Sequence, residues 1–208
     1  MVSHMIIFSH VKVKDKEHNM ENTSNRRNAG NITLRITTTA VFMALTIAMA
    51  SFGIPVPGGH LYLCDVIICL ASILLGPLDA FVVGGLGSFF GDMIFYPLPM
   101  FVSLVTHGLQ AVVISLISHH TFKDHPKVAA GIGVSVGAVI MVVGYTLGKT
   151  FVYSTFEYAM IKLPYEIAQG ALGAILGFVL CFHFGIGKLY KTLILKNSKK
   201  KKNQTETV

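Results

Sequence analysis

From residue 33 to residue 187 the chain is a succession of apolar runs, at roughly 33–53, 61–77, 79–96, 99–118, 127–148 and 164–187. About 20 such residues cross the roughly 30 Å of a bilayer's hydrocarbon. The runs therefore predict an all-α membrane protein, a compact bundle of six transmembrane helices. Pro and Gly mark the breaks: Pro55, Pro57, Gly58 and Gly59 after the first run, Gly76-Pro77 after the second, and Pro97 and Pro99 after the third. Such residues end helices by removing a donor or loosening the backbone. His119 to Lys127 separates the fourth and fifth runs, and Lys149 to Leu163 the fifth and sixth. Composition agrees, because 52% hydrophobic and only 13% charged residues, with a mean hydropathy of +0.62, are too apolar for an ordinary soluble domain.

Charge is unevenly spread. The net charge of +7 gathers in the first 35 residues and in KNSKKKK at Lys196 to Lys202. We expect residues 1–31 to be a flexible cytoplasmic tail, 32–190 the transmembrane substrate-binding domain, and 191–208 a basic cytoplasmic tail beside anionic lipid. Both termini are placed inside by the Lys and Arg bias. Residues 1–31 lack the apolar core of a signal peptide, and Met20 is an alternative start. The Asn-x-Ser/Thr matches at Asn22, Asn31 and Asn203 fall in these inward segments and read as chance. A nucleic-acid role is excluded by the lack of a folded basic domain.

Polar residues inside lipid-length runs are costly, so they mark function. Counted at about 1.5 Å per residue, Asp65, Asp92, His107, Gln110, Glu166 and Gln169 all fall in the outer half of the bundle. His60, Tyr62, Tyr96 and Tyr153 lie above them in the loops. No such set occurs in the inner half, which predicts an outward pocket rather than a through-going relay. Asp65 and Asp92 have capping as their alternative role, Glu166 a solvated helix start, and Tyr62 and Tyr96 an interfacial belt. Cys64, Cys69 and Cys181 read as buried free thiols, and His119, His120 and His125 as a solvated loop. Neither metal nor cofactor is expected. Ala40, Ala44 and Ala48 stack on one helical face that another helix can approach. Gly84 with Ser88, Gly87 with Gly91, Ala129 with Gly133 and Gly137, Gly170 with Ala174, and Gly173 with Gly177 read as internal packing seams.

No His-Glu-x-x-His, Gly-x-Ser-x-Gly or P-loop is present, so the chain is expected to bind rather than react. GGHLYLCDVIICLASILLGPLDAFVVGGLGSFFGDMIFYP, THGLQAVVISLI and LPYEIAQGALGAILG together resemble a substrate-binding S component of an energy-coupling factor (ECF) vitamin transporter. Within that group the chain is most similar to the riboflavin-type family, including its hydroxymethylpyrimidine and pyridoxine members. The resemblance implies an outer vitamin site gated by the first loop. It also implies docking to a transmembrane coupling subunit through Ala40, Ala44 and Ala48, and energy from two ATPase subunits. Two departures stand out: Cys64 where Gly often precedes the Asp, and His107 where Lys is frequent. A pyridoxine or hydroxymethylpyrimidine binder is expected ahead of a riboflavin binder. The rivals are a membrane enzyme with Asp65 and Asp92 holding a metal, and a solitary proton-coupled carrier.

Overall fold

The computed structural model describes residues 32–122 and 124–193. Apart from residues 191–193, the predicted tails, with Met20, the Asn residues of the three Asn-x-Ser/Thr matches and the lysine run, lie outside the described residues. The chain divides into a main unit, Thr38–Tyr190, and a second unit holding the flanking segments, of which residues 32–37 and 191–193 are helical.

The elements in order are α1 (Ile32–Ala50), β1 (Ile54–Val56), β2 (Gly59–Leu61), α2 (Cys64–Leu74), α3 (Pro77–Phe81), α4 (Gly87–Phe95), α5 (Met100–His120), α6 (Pro126–Gly148) and α7 (Phe156–Phe182). A π-helical turn, Val82–Leu86, joins α3 to α4 into one span, and another, Lys149–Tyr153, extends α6. Among the described residues, five helices are thus long and apolar enough to cross a membrane. The sixth predicted span is of another kind. Run 61–77 forms only the 11-residue α2, about 16 Å long, roughly half the hydrocarbon thickness. Nine of its residues are buried, so it is an internal helix wrapped by protein. It packs chiefly on α7 and α5, while α5 lies along α6 and α6 along α7.

Two boundaries correct the sequence expectation. The last span starts at Phe156 rather than residue 164, because Pro164 sits inside α7 instead of before it. Neighbouring helices can absorb the missing donor in a membrane bundle. Lys149 to Leu163 is therefore no loop; Ser154 and Thr155 alone part the helices, and the Thr155 side chain caps α7 by accepting from the Tyr158 N–H. Glu166 and Gln169 consequently sit ten and more residues into the helix rather than in its first turns, and they face inward on the stripe Ala159, Lys162, Glu166, Gln169, Gly173 and Gly177.

The Pro/Gly-rich first loop is a hairpin. β1 and β2 pair antiparallel with Ile54 opposite Leu61 and Val56 opposite Gly59. Its tip needs glycine, since Gly58 has φ +81 after Pro57, the conformation of the third position of a type II turn. The small-residue seams lie inside the bundle as expected. A β-carbon at Gly177 would lie 2.7 Å from Cys69 Cβ, and one at Gly84 2.7 Å from the His107 carbonyl, closer than real β-carbons approach. These contacts set α2 against α7 and the π-turn against α5.

Candidate functional site

Three helices, α2, α5 and α7, bring Asp65, His107, Gln110 and Gln169 into one buried cluster under the hairpin, each at most 4% exposed. Its hydrogen bonds run in a defined direction. The Tyr62 backbone N–H donates to Gln169 Oε1 (3.0 Å), which turns the Gln169 amide nitrogen towards Asp65 Oδ2 (2.7 Å). Gln110 Nε2 donates to Asp65 Oδ1 (3.1 Å), leaving its Oε1 to accept from His107 Nδ1 at 2.7 Å. A carboxylate is acceptor-only, so both glutamine orientations and the Nδ1–H form of His107 follow from their partners. Asp65 lies in the first turn of α2 but caps nothing there; its oxygens are taken by two other helices.

A second network stands beside it. Tyr145 OH and Asp92 both bond Ser103 Oγ, which donates to the carboxylate. Asp92 is therefore not a cap either. The two networks touch where the His107 and Tyr145 rings meet edge to face with centroids 5.2 Å apart. Asp65 and Asp92 belong to separate networks.

The third group went unread in the sequence. Lys149 and Lys162, expected in a loop, are 4% and 7% exposed. Lys149 Nζ donates to the Gly58 carbonyl at the hairpin tip (2.6 Å), and Lys162 Nζ pairs with Glu166 Oε1 at 3.5 Å. Glu166, 1% exposed, is not the solvated helix start that was its alternative; its other oxygen accepts from Thr146 Oγ1 at 3.4 Å. The signal available was position: a lysine at the end of a long apolar run and another four residues before a glutamate, once both fall within helices.

The hairpin is seated on this group. A β-carbon at Gly58 would lie 3.0 Å from Lys162 Cβ, and the His60 ring meets Tyr96 edge-on at 5.3 Å. Burial, with the negative field of Asp92 second, pushes the Tyr62 phenol well above its ordinary range, so it remains an O–H donor. Tyr153, on the π-turn rather than in a loop, lies under the Lys149 ammonium at 5.5 Å. All ten predicted residues thus lie at the hairpin end of the bundle.

Of the cysteines, Cys69 and Cys181 are buried thiols of the apolar core, outside any disulfide. Cys64 is also free, and its sulfur lies with ligand atoms of Asp65 and His107 within 4.8 Å of one another. Both Asp65 oxygens and His107 Nδ1 already hold glutamine partners, so the set is self-satisfied as a hydrogen-bonded cluster. His119 and His120 bond the Ser115 and Leu116 carbonyls in the last turn of α5 and gather no metal-ligand set among the described residues. Ala40, Ala44 and Ala48 are all exposed on one face of α1, whereas Thr39, Thr46 and Ala50 are buried on the other.

Comparison with known proteins accords with this geometry. The family model of the ECF-type riboflavin transporter S component matches residues 30–185. The chain belongs to that family. An uncharacterized protein in a gap 3′ region of Pyrococcus woesei is 30% identical over 136 residues, 64% of this chain and 89% of the relative. As an S component the chain is a multi-pass, membrane-embedded part of a vitamin transporter, and a transport component by family rather than an enzyme.

Proposed function

We propose that this S component binds pyridoxine or hydroxymethylpyrimidine at the hairpin-covered site and delivers it inward with a coupling subunit and two ATPases. The site faces outward and both chain ends face the cytoplasm. The observation that carries the reading is the convergence of Asp65, His107, Gln110 and Gln169 from three helices beneath a lid that is itself bonded to Gln169. Few precisely held polar groups with aromatic neighbours suit a small heteroaromatic ring. Riboflavin is the second reading, favoured by the name of the matched family.

The residues assigned to the ligand are His60, Tyr62, Asp65, Asp92, Tyr96, His107, Gln110, Tyr153, Glu166 and Gln169, with Lys149 and Lys162 added. Calorimetric titration of the purified chain with pyridoxine, hydroxymethylpyrimidine and riboflavin tests the reading. Saturable binding of one of them is expected, and none for all three would overturn it. The exposed alanine face is assigned to the coupling subunit. Ala44→Trp is expected to abolish uptake in cells while leaving binding by the purified chain unchanged; normal uptake would remove the docking assignment.

A further inference from the structure

The hairpin is held down at two places that lead to different parts of the bundle. At its tip the Gly58 carbonyl accepts from Lys149 Nζ (2.6 Å). At its foot, one residue past β2, the Tyr62 backbone N–H donates to Gln169 Oε1 (3.0 Å). The tip bond joins a lysine to a carbonyl, whereas the foot bond continues into the buried cluster. Gln169 Nε2 donates to Asp65 Oδ2 (2.7 Å), while Asp65 Oδ1 accepts from Gln110 (3.1 Å) and lies 3.7 Å from His107 Nδ1.

Amide chemistry fixes the direction of that path. A backbone N–H can only donate, so the Gln169 oxygen faces Tyr62 and its nitrogen faces Asp65, whichever protons His107 carries. One side chain, 4% exposed, thus bonds the lid with one end and α2 with the other. When the hairpin lifts, the Tyr62 N–H leaves and the amide loses the group that orients it. Turned over, it would set its oxygen against the carboxyl oxygen that it now bonds. The closed hairpin also carries His60, two residues before Tyr62, whose Nδ1 is buried with no hydrogen-bond partner among the described residues. Closure therefore brings one open polar atom to the site and fixes the orientation of another group there, Asp65.

We propose that Gln169 is a positioning residue that ties the lid to the ligand: it holds Asp65 in the ligand-ready orientation only while the hairpin is shut. The inference rests on the proposed vitamin site and adds how occupancy of that site reaches the hairpin. A ligand bonded to Asp65 favours the carboxyl orientation that Gln169 also requires, so binding and closure stabilise each other, and linkage makes the effect equal in both directions. The Lys149 bond steadies the same lid whether or not the site is filled.

Hydrogen exchange of the hairpin amides, residues 54–62, followed by mass spectrometry on the purified full chain, reads lid closure. It is measured without ligand and then with saturating pyridoxine, hydroxymethylpyrimidine and riboflavin in turn. The compound that binds is expected to slow hairpin exchange about tenfold or more. Gln169→Met, similar in length but without the amide, is expected to bind more weakly and to exchange equally fast with and without saturating ligand. Gln169→Asn, a second variant in case the first does not fold, keeps the amide but is one methylene too short to bridge Tyr62 and Asp65, and is expected to lose the ligand response as well. Lys149→Met is expected to exchange faster in both states with the ratio between them kept; loss of the ratio there would reduce the Gln169 result to general loosening and overturn the inference. A full ligand response in either Gln169 variant, or none in the unaltered chain despite saturable binding, overturns it too and leaves the vitamin site standing. No saturable binding of any of the three compounds overturns both.

Discussion

The two halves of the bundle are built from the same helices and differ in nearly everything else. Away from the hairpin, α2, α5, α6 and α7 meet through Cys69, Leu70, Ile73, Ile114, Ala130, Val134, Ala174 and Cys181. Polar groups there are hydroxyls returned to backbone carbonyls, as Ser72 to Ile68 and Ser115 to Leu75, both at 2.6 Å. Under the hairpin the same four helices present carboxylates, amides, an imidazole and ammonium groups that bond to one another. One half is held by shape, the other by hydrogen-bond direction. The contrast separates scaffold from site along single helices: α5 carries His107 and Gln110 one or two turns before Ile114, and α2 carries Asp65 one turn before Cys69.

The contrast can be broken from either side. Asp65→Leu should have the largest effect, because it strips the acceptor from two buried glutamines and leaves His107 without a fixed partner chain. A loss of about 3–5 kcal/mol in ligand binding is expected by calorimetry, and near-normal affinity would show that the cluster is structural only. Ile114→Ala, fully buried in the other half, should lower stability by about 2–4 kcal/mol. Its thermal unfolding in detergent should shift while ligand affinity stays within a few-fold, and a large affinity loss would mean that the halves are not separable. Lys149→Met is the mildest. Losing the Gly58 bond is expected to cost about 1–2 kcal/mol, read by stopped-flow as faster ligand release with little change in association. Unchanged release would exclude the lysine as the hairpin's fastening.

Some of this was legible early. The α5 set could be read because His107 and Gln110, three residues apart, share a helical face in an apolar run, and the depth count put them in the same outer half as Asp65 and Asp92, though deeper. The exposed alanines of α1 were legible from four-residue spacing alone. Lys149 and Lys162 were missed because the stretch from Lys149 to Leu163 looked like a polar loop. Pro164 appeared to start a helix, when it lies within one that begins at Phe156. Starting that helix eight residues late put Lys162 in solvent, and ending the preceding span at residue 148, before the π-turn Lys149–Tyr153, did the same for Lys149. The alternative capping roles of Asp65 and Asp92 were likewise undecidable, since capping and cross-helix bonding call for the same residue types near a helix end.

The sequence by itself determined that the chain is a membrane bundle and roughly where its apolar helices lie, because hydrocarbon admits little else for runs of that length. It also determined that polar groups collect towards one end, since depth follows from counting residues. Only the tertiary structure decided that α2 is a half-length internal helix, that two lysines face inward, and which atom donates to which. Those outcomes depend on contacts between residues as far apart as Tyr62 and Gln169, and helical periodicity carries no information about partners on another helix.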